Sequence, residues 1–236
     1  MTTRSVTRQP AQENTMQTFA TPAPITAILA IPAGRIQVTA TDQDHTTVQI
    51  RPADPGKSRD VKLAGQVSAG YSDGTLRITA PPRHRILGST GAVEVEIQLP
   101  AGSGVHATAA SAQLTTEGPL GDLTFDSSQA TVTVDQAATA RLSTVDGDII
   151  VGRMGGDAEI RTVKGDIAVT EATSGTVVLH TQVGAVSVGV AAGVSATLDA
   201  GTTLGRIRNT LKNAGGSPAL AIHATTTLGD VTASAL

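Results

Sequence analysis

Short runs of alternating aliphatic and polar residues fill the second half of the chain, and one such run recurs. TVDGDIIV at 144–151 returns as TVKGDIAV at 162–169, which places Ile149 and Ile167 eighteen residues apart. Aliphatic residues continue this phase at intervals of 17 to 24 residues, and we use them as markers of the repeat: Leu114, Val132, Ile149, Ile167, Val186, Ile207 and Val231. A near-constant period with insertions confined to the last units indicates a solenoid.

Other positions keep the phase of the markers. The residue two before the marker is glycine in the last five units: Gly147, Gly165, Gly184, Gly205 and Gly229. The residue two after the marker is mostly apolar, so one side of each strand faces a core. Glycine before the strand predicts a corner, where the backbone adopts positive φ and neighbouring coils approach closely.

A β-hydroxyl residue recurs about five residues before the marker. The members of this column are Ser127, Thr144, Thr162, Thr181, Thr202 and Thr226. One interpretation is a flat outward face that orders water, as in ice-binding solenoids. The other is a corner ladder in which each hydroxyl bonds the backbone of its own or the next coil. The glycine that follows within about three residues favours the corner ladder.

These columns predict an all-β protein, a right-handed, single-chain parallel β-solenoid. A second short strand, with apolar residues such as Leu142 and Ile160, begins each unit. Eighteen residues at about 3.3 Å each give a coil of about 60 Å perimeter, and coils stack about 4.8 Å apart. The predicted hand follows from the general crossover rule.

The pattern divides the chain into three parts. We predict a disordered N-terminal tail over 1–16, an N-terminal β section over 17–104 that caps the stack, and solenoid repeats over 105–236. Open solenoid ends need such covers because their strand edges are unpaired. The last coil stays in phase to Leu236 and lacks an evident cap, so we expect either a homodimer through this C-terminal coil or a cover formed by the N-terminal tail.

Composition excludes several function classes. The net charge is −3, and the aromatic residues are Phe19, Phe125 and Tyr71 alone, so nucleic-acid binding is not expected. The chain has no cysteine, which excludes disulfides and thiolate metal sites. Neither a signal peptide nor a membrane span is recognisable, which favours a cytoplasmic protein without direct membrane insertion. No cofactor or metal is expected.

Three motifs suggest chemistry but have simpler structural explanations. GYSDG at 70–74 matches the G-x-S-x-G nucleophile elbow, yet a strand follows it instead of the helix that the elbow needs, so we predict a turn. Asp148 and Asp166 would be neighbours in the stack, but two carboxylates do not complete a Ca²⁺ site. PPRHR at 81–85 is a basic loop typical of an exposed linker.

Four segments carry a family resemblance: MQTFATPAPI at 16–25, RPADPGKSRDVK at 51–62, VEVEIQLPAGS at 93–103 and the GDI repeats. Together they resemble the actinobacterial branch of a bacterial β-strand-repeat family whose members bear the labels domain of unknown function and adhesin. The resemblance implies an all-β stack. Some relatives, termed toastrack domains, are linked with membrane-stress signalling and lie beside membrane segments, which this chain lacks.

The sequence therefore favours a non-enzymatic structural or protein-interaction protein with an unidentified protein partner, including a scaffold in stress signalling. The alternative is a carbohydrate-active or carbohydrate-binding solenoid. That alternative needs paired carboxylates in a groove or aromatic platforms.

Overall fold

A computed structural model describes residues 16–81, 91–212 and 217–236. The predicted tail over 1–16, except for Met16, and the loop PPRHR, except for Pro81, lie outside the described residues. The described elements are β1 (Gln17–Ala20), β2 (Thr26–Thr41), β3 (His45–Pro52), α1 (Ser58–Ala64), β4 (Ser68–Ser72), β5 (Thr75–Thr79), β6 (Val93–Pro100), β7 (Gly104–Asp146), β8 (Ile149–Met154), β9 (Ala158–Arg161), β10 (Ile167–Ala172), β11 (Gly175–Val183), β12 (Val186–Val190), β13 (Ala196–Leu204), β14 (Ile207–Thr210), β15 (Leu220–Leu228) and β16 (Val231–Ala235).

The repeat region winds into two runs of parallel strands. One run pairs β7, β9, β11, β15 and β13, and the other pairs β7, β8, β10, β12, β16 and β14. Each turn of the chain, termed a winding, contributes one strand to each run. Ile149 lies directly opposite Ile167, and Ile167 lies opposite Val186. The predicted all-β parallel solenoid is confirmed, and its right-handedness stays a prediction.

The core consists of aliphatic side chains that both runs of strands direct inward. Markers such as Ile149 and Val231 are fully buried, and so are Leu142 and Ile160 of the first run. Each buried side chain of this size contributes about 1.5–3 kcal/mol relative to an exposed one. A single winding has no such partner surface, so the stack is the unit that is stable.

The C-terminal windings do not stack in chain order, which corrects one expectation. Val231 lies opposite both Val186 and Ile207, so the last winding inserts between the two that precede it in sequence. Among the residues that the structure describes, the winding Ala196–Thr210 therefore ends the stack, and the C-terminal coil that we expected at the free end lies inside. The longer spacing of the last markers supplies the connections that this order needs.

The N-terminal section has the same kind of interleaving. β2 pairs in parallel with β7 on one side and with β5 and β6 on the other. Antiparallel strands then cover this end, because β3 pairs with β6, β1 with β3, and β4 with β5. Since β2 itself forms a winding, the stack continues into the section before Gly104, and the predicted domain boundary there stays a prediction.

One N-terminal element has no clear signal in the sequence. The helix α1 has only seven residues, too few to show a helical period. Its Asp60 is buried and accepts a hydrogen bond from the backbone N–H of Ala92 at 3.0 Å. This contact joins the helix to the segment that leads into β6.

Candidate functional site

The corner glycines hold adjacent windings in close contact. A Cβ built on Gly165 would overlap the carbonyl oxygen of Gly147, and one built on Gly184 would overlap that of Gly165. Both residues also have a positive φ, +145° and +149°. The same crowding recurs at Gly229 and Gly205, so this column is a structural requirement of the corner and offers no room for a ligand.

The β-hydroxyl column faces inward at the same corner. Thr162 donates to the carbonyl of Gly147, Thr181 to Gly165 and Thr226 to Gly184, at 3.3, 3.0 and 2.9 Å. The two earlier members bond their own corner, Ser127 to Gln129 and Thr144 to Asp146. Thr202 donates to Gly229 at 2.9 Å. Apart from the partly exposed Thr202 these side chains are buried, so the geometry favours the corner ladder over a water-ordering face.

Replacing Thr226 with valine should destabilise the stack by about 1–2 kcal/mol, because the Gly184 carbonyl loses its buried donor. Valine keeps the shape and the β-branching of threonine. Thr227→Val is the matched control, since Thr227 is exposed at the next position and should change stability by no more than about 0.5 kcal/mol. Urea unfolding followed by far-UV circular dichroism measures both. Equal effects of the two substitutions would contradict the role assigned to the ladder.

The aspartates before the markers also bond across windings. The carboxylate of Asp148 accepts the N–H of Asp166 at 2.8 Å, and that of Asp166 accepts the N–H of Ala185 at 2.7 Å. Asp230 accepts the N–H of Arg206 at 2.9 Å. These carboxylates thus cap backbone donors of the neighbouring winding. Among the described residues, His, Asp and Glu form no group of three that could hold a metal ion.

The segment GYSDG forms the turn of a β-hairpin. Ser72 lies opposite Thr75, and the two residues between them, Asp73 and Gly74, have φ of +50° and +73°. Two successive residues of positive φ are typical of a tight hairpin turn. The exposed Ser72 therefore lacks the strand–turn–helix context of a nucleophile elbow.

The histidines pair separately on the outer surface. His106 lies 3.3 Å from Asp122, His223 lies 3.3 Å from Asp199, and His180 bonds Thr225 at 2.8 Å. Two exposed aspartates elsewhere have pKa values that a nearby residue lowers. A hydrogen bond from His45 lowers the pKa of Asp44, and one from Lys57 lowers the pKa of Asp54.

A shallow groove of about 460 Å³ crosses the outer face of the first run of strands and tests the carbohydrate alternative. Three carboxylates line it, and each has a structural partner. Asp122 accepts from the Thr139 hydroxyl at 2.7 Å, and Asp157 accepts the Thr176 N–H at 2.8 Å. Glu159 pairs with Arg141 and Arg161. No aromatic side chain lines this groove, so it does not favour sugar binding.

Exposed aliphatic side chains recur at the corner between the two runs of strands. We term them the aliphatic ladder, and in spatial order they are Val145, Val163, Val183, Leu228 and Leu204. Leu228 lies opposite both Val183 and Leu204. Lys164 lies opposite both Asp146 and Val183, so Val145 and Val163 share one register and the line shifts by one residue between Val163 and Val183. Their exposure ranges from 39% to 65%. At about 4.8 Å per rung, the ladder is about 19 Å long.

The aliphatic ladder is also visible in the sequence, in a column that the sequence analysis did not consider. An aliphatic residue stands three or four positions before the marker in each of the last five units. The threonine one or two positions earlier points inward in most of these units, and the corner turns the aliphatic side chain to solvent. Contiguous exposed apolar surface on a folded protein indicates an interaction site.

The fold and its corner ladders define a β-strand-repeat solenoid. Residues 29–236 match the family described as Toastrack DUF4097. The chain belongs to this family, which confirms the resemblance. No curated protein matches the chain. Among the described residues, no helix is long and apolar enough to cross a membrane.

The solved structures that match the chain have little sequence in common with it. A protein from Bacteroides fragilis named "putative adhesin" is 16% identical with a TM-score of 0.51, covering 96% of this chain and 99% of its own. Another "putative adhesin", from Parabacteroides distasonis, is 13% identical with a TM-score of 0.41, covering 93% and 97%. A "putative lipid binding protein" from Parabacteroides distasonis is 10% identical with a TM-score of 0.43, covering 94% and 97%. The first of these shows a shared fold.

Proposed function

We propose that the protein is a non-enzymatic binding module that presents the aliphatic ladder to a partner protein. The observation that carries the proposal is the recurrence of five exposed aliphatic side chains at one corner of neighbouring windings, with a shift of one residue between Val163 and Val183. Isolated apolar side chains on a surface need no explanation, but one at the same corner of each of five windings does. The all-β stack beneath the ladder holds these side chains at fixed positions, which lowers the entropy lost on binding.

The spacing of the ladder favours an amphipathic helix as the occupant. A helix presents one apolar stripe with a repeat of about 5.4 Å per turn, close to the ladder spacing of about 4.8 Å. A strand laid along the stack would place same-side residues about 6.6 Å apart and would lose register after one or two rungs. About 13 helical residues would cover the ladder.

The resemblance to toastrack domains linked with membrane-stress signalling extends the proposal to a scaffold in such a system. Its partner would then be another component of the signalling pathway. The label of adhesin on family members instead suggests a partner on another cell. Cytoplasmic location stays a prediction of the sequence.

The test compares two matched substitutions. Val183 belongs to the ladder and Ile150 lies outside it, and their exposures are nearly equal at 44% and 45%. Val183→Lys should weaken binding of the partner at least tenfold, because it places a charge in the apolar contact, whereas Ile150→Lys should leave binding unchanged. Affinity capture from the native host with wild-type and both variants identifies the partner, and isothermal titration with the purified partner measures the affinities.

Circular dichroism melts of the two variants serve as the folding control. A partner that is lost only with Val183→Lys, and that binds the purified wild-type chain with saturable stoichiometry, would support the proposal. Recovery of the same proteins by all three chains would contradict it.

A further inference from the structure

The two ends of the stack differ in how they are closed. Antiparallel strands β1, β3 and β4 cover the N-terminal end. At the other end β13 pairs with β15 and β14 pairs with β16, and within the described part of the chain neither has a second neighbour. The winding Ala196–Thr210 therefore ends the stack with an open strand edge.

Backbone groups of this edge point out of the stack. In interior windings the N–H of each marker donates to the residue before the next marker, as Ile149 does to Asp166 and Ile167 to Ala185, both at 2.9 Å. Val231 donates to Arg206 in the same way at 2.9 Å. Ile207 faces Val231 in this parallel pair. Alternate residues of a strand direct their backbone groups to opposite sides, so Arg206 and Arg208 bond β16. Ile207 and Asn209 therefore direct their N–H and C=O groups away from β16.

The side chains of the edge differ in charge from those of the interior windings. Where Asp148, Asp166 and Asp230 cap the next winding, the last winding has Arg206. Arg206 and Arg208 are exposed, and within the described residues neither forms an ion pair. Between them stands Ile207, which is 47% exposed although the equivalent Val231 is fully buried. The edge thus combines outward backbone groups, an uncovered core residue and two cations.

We propose that this open edge accepts an extended acidic segment of a partner protein as an additional strand beside β14. The segment would hydrogen-bond the outward groups of Ile207 and Asn209, and an aliphatic side chain would cover Ile207. Carboxylates on either side of that side chain would pair with Arg206 and Arg208. This surface is distinct from the aliphatic ladder, so the inference goes beyond the proposed function.

The charges of the edge disfavour a second copy as the occupant. A symmetric pair of β14 strands would bring Arg206 and Arg208 of both copies together, and facing like charges destabilise paired strands. The homodimer expected from the sequence was placed on the C-terminal coil, which lies inside the stack. An acidic strand from a different protein would hydrogen-bond the same edge without this repulsion between arginines.

The close packing at the corner also restricts which residue of the partner segment can precede its first acidic residue. At Gly184 and Gly229 a Cβ would overlap the carbonyl oxygen of the corner glycine in the neighbouring winding. The residue that stacks on Gly205 meets the same crowding and must therefore be small, either glycine or an alanine such as Ala112 and Ala130 at this position of earlier windings. The partner segment should contain the order glycine or alanine, acidic, aliphatic, acidic.

Fluorescence anisotropy with labelled synthetic peptides and the full chain tests the proposal. The probe STVDGEIEV follows the deduced order, STVKGKIKV reverses its charges, and STVDVEIEV replaces its glycine. We expect saturable binding of the first peptide that weakens as salt rises, and at least tenfold weaker binding of the other two. Equal binding of all three peptides, or binding of none, would overturn the proposal.

Variants of the chain locate the site. Asn209→Pro removes one outward N–H of β14 without touching the hydrogen bonds to β16, and proline is tolerated at such edge positions. It should weaken the probe at least tenfold, whereas Asn209→Ala, which keeps the N–H, should bind within about threefold of wild-type. Arg208→Glu should reverse the preference toward STVKGKIKV. Unchanged binding by Asn209→Pro would refute the strand-addition geometry.

Two further measurements distinguish the strand-addition proposal from the aliphatic-ladder proposal and from dimerisation. Val183→Lys should leave peptide binding intact, so a failure of the aliphatic ladder would not be mistaken for a failure of the edge. Sedimentation velocity should show a monomer in wild-type and in Asn209→Pro. A wild-type dimer that Asn209→Pro dissolves would assign the edge to a second copy and overturn the proposal.

Discussion

Replacing Ile149 with aspartate should unfold the protein at neutral pH. The side chain of Ile149 is fully buried between Val132 and Ile167 of the adjacent windings. An unpaired charge in that position costs at least about 4 kcal/mol, a large part of the 5–15 kcal/mol that holds a typical domain folded. Urea unfolding followed by far-UV circular dichroism would show the loss.

Ile150→Asp is the control for this substitution. It introduces the same charge one residue later, but Ile150 points outward and is 45% exposed. Its effect should remain within about 0.5 kcal/mol. Comparable destabilisation by the two variants would mean that the inward and outward positions of β8 are not as described.

The loss in Ile149→Asp should also depend on pH. Burial raises the pKa of the introduced carboxyl group above its value in the unfolded chain. The penalty is therefore complete above the raised pKa and shrinks as the pH falls through it, because the protonated form is neutral. A penalty that does not change with pH would exclude a buried charge as its cause.

Gly184→Ala should be nearly as damaging. A Cβ on Gly184 would overlap the backbone carbonyl of Gly165, and the residue has a φ of +149°. Backbone cannot yield as a flexible side chain does, so relief requires separating two hydrogen-bonded windings. We expect a loss of at least about 3 kcal/mol, from strain and from disrupted pairing together. The same urea titration provides the measurement.

Substitutions at two other glycines distinguish the overlap of the Cβ from the cost of a positive φ, the two causes of the loss expected in Gly184→Ala. Gly70 has open space around its Cβ position and no positive φ, so Gly70→Ala should be neutral or slightly stabilising. Gly193 has open space but a φ of +80°, so Gly193→Ala should show the conformational cost alone, about 1–2 kcal/mol. A loss in Gly184→Ala no greater than that in Gly193→Ala would contradict the crowding at the corner.

The two surfaces proposed for binding differ in how far the sequence could have revealed them. The aliphatic ladder repeats with the markers, and its five members can be read off the chain once the corner is known to turn them outward. The open edge could not be found in this way. Arg206 occupies the position that Asp148 and Asp166 hold elsewhere, but nothing in the sequence says that its winding ends the stack.

The polar residues also divide into those that the sequence predicted and those that only the structure explains. The hydroxyl column was recognisable from its spacing, yet only the structure shows that Thr181 and Thr226 reach across to the glycine of another winding. Asp122 and Asp157 share a phase, ten residues before a marker, whereas Glu159 stands eight residues before Ile167. Only the structure shows which side chains partner them.

The sequence by itself determined the fold class, the eighteen-residue spacing of Ile149 and Ile167 and the inward direction of the marker column. It did so because alternation along a strand decides which side chains are buried, and glycine decides where the chain can turn. Only the tertiary structure decided the order of the windings at both ends. Windings with the same register are interchangeable neighbours, and the longer connections after Val190 and Thr210 permit more than one order. Three-dimensional packing selects one of them and leaves Ala196–Thr210 at the open end.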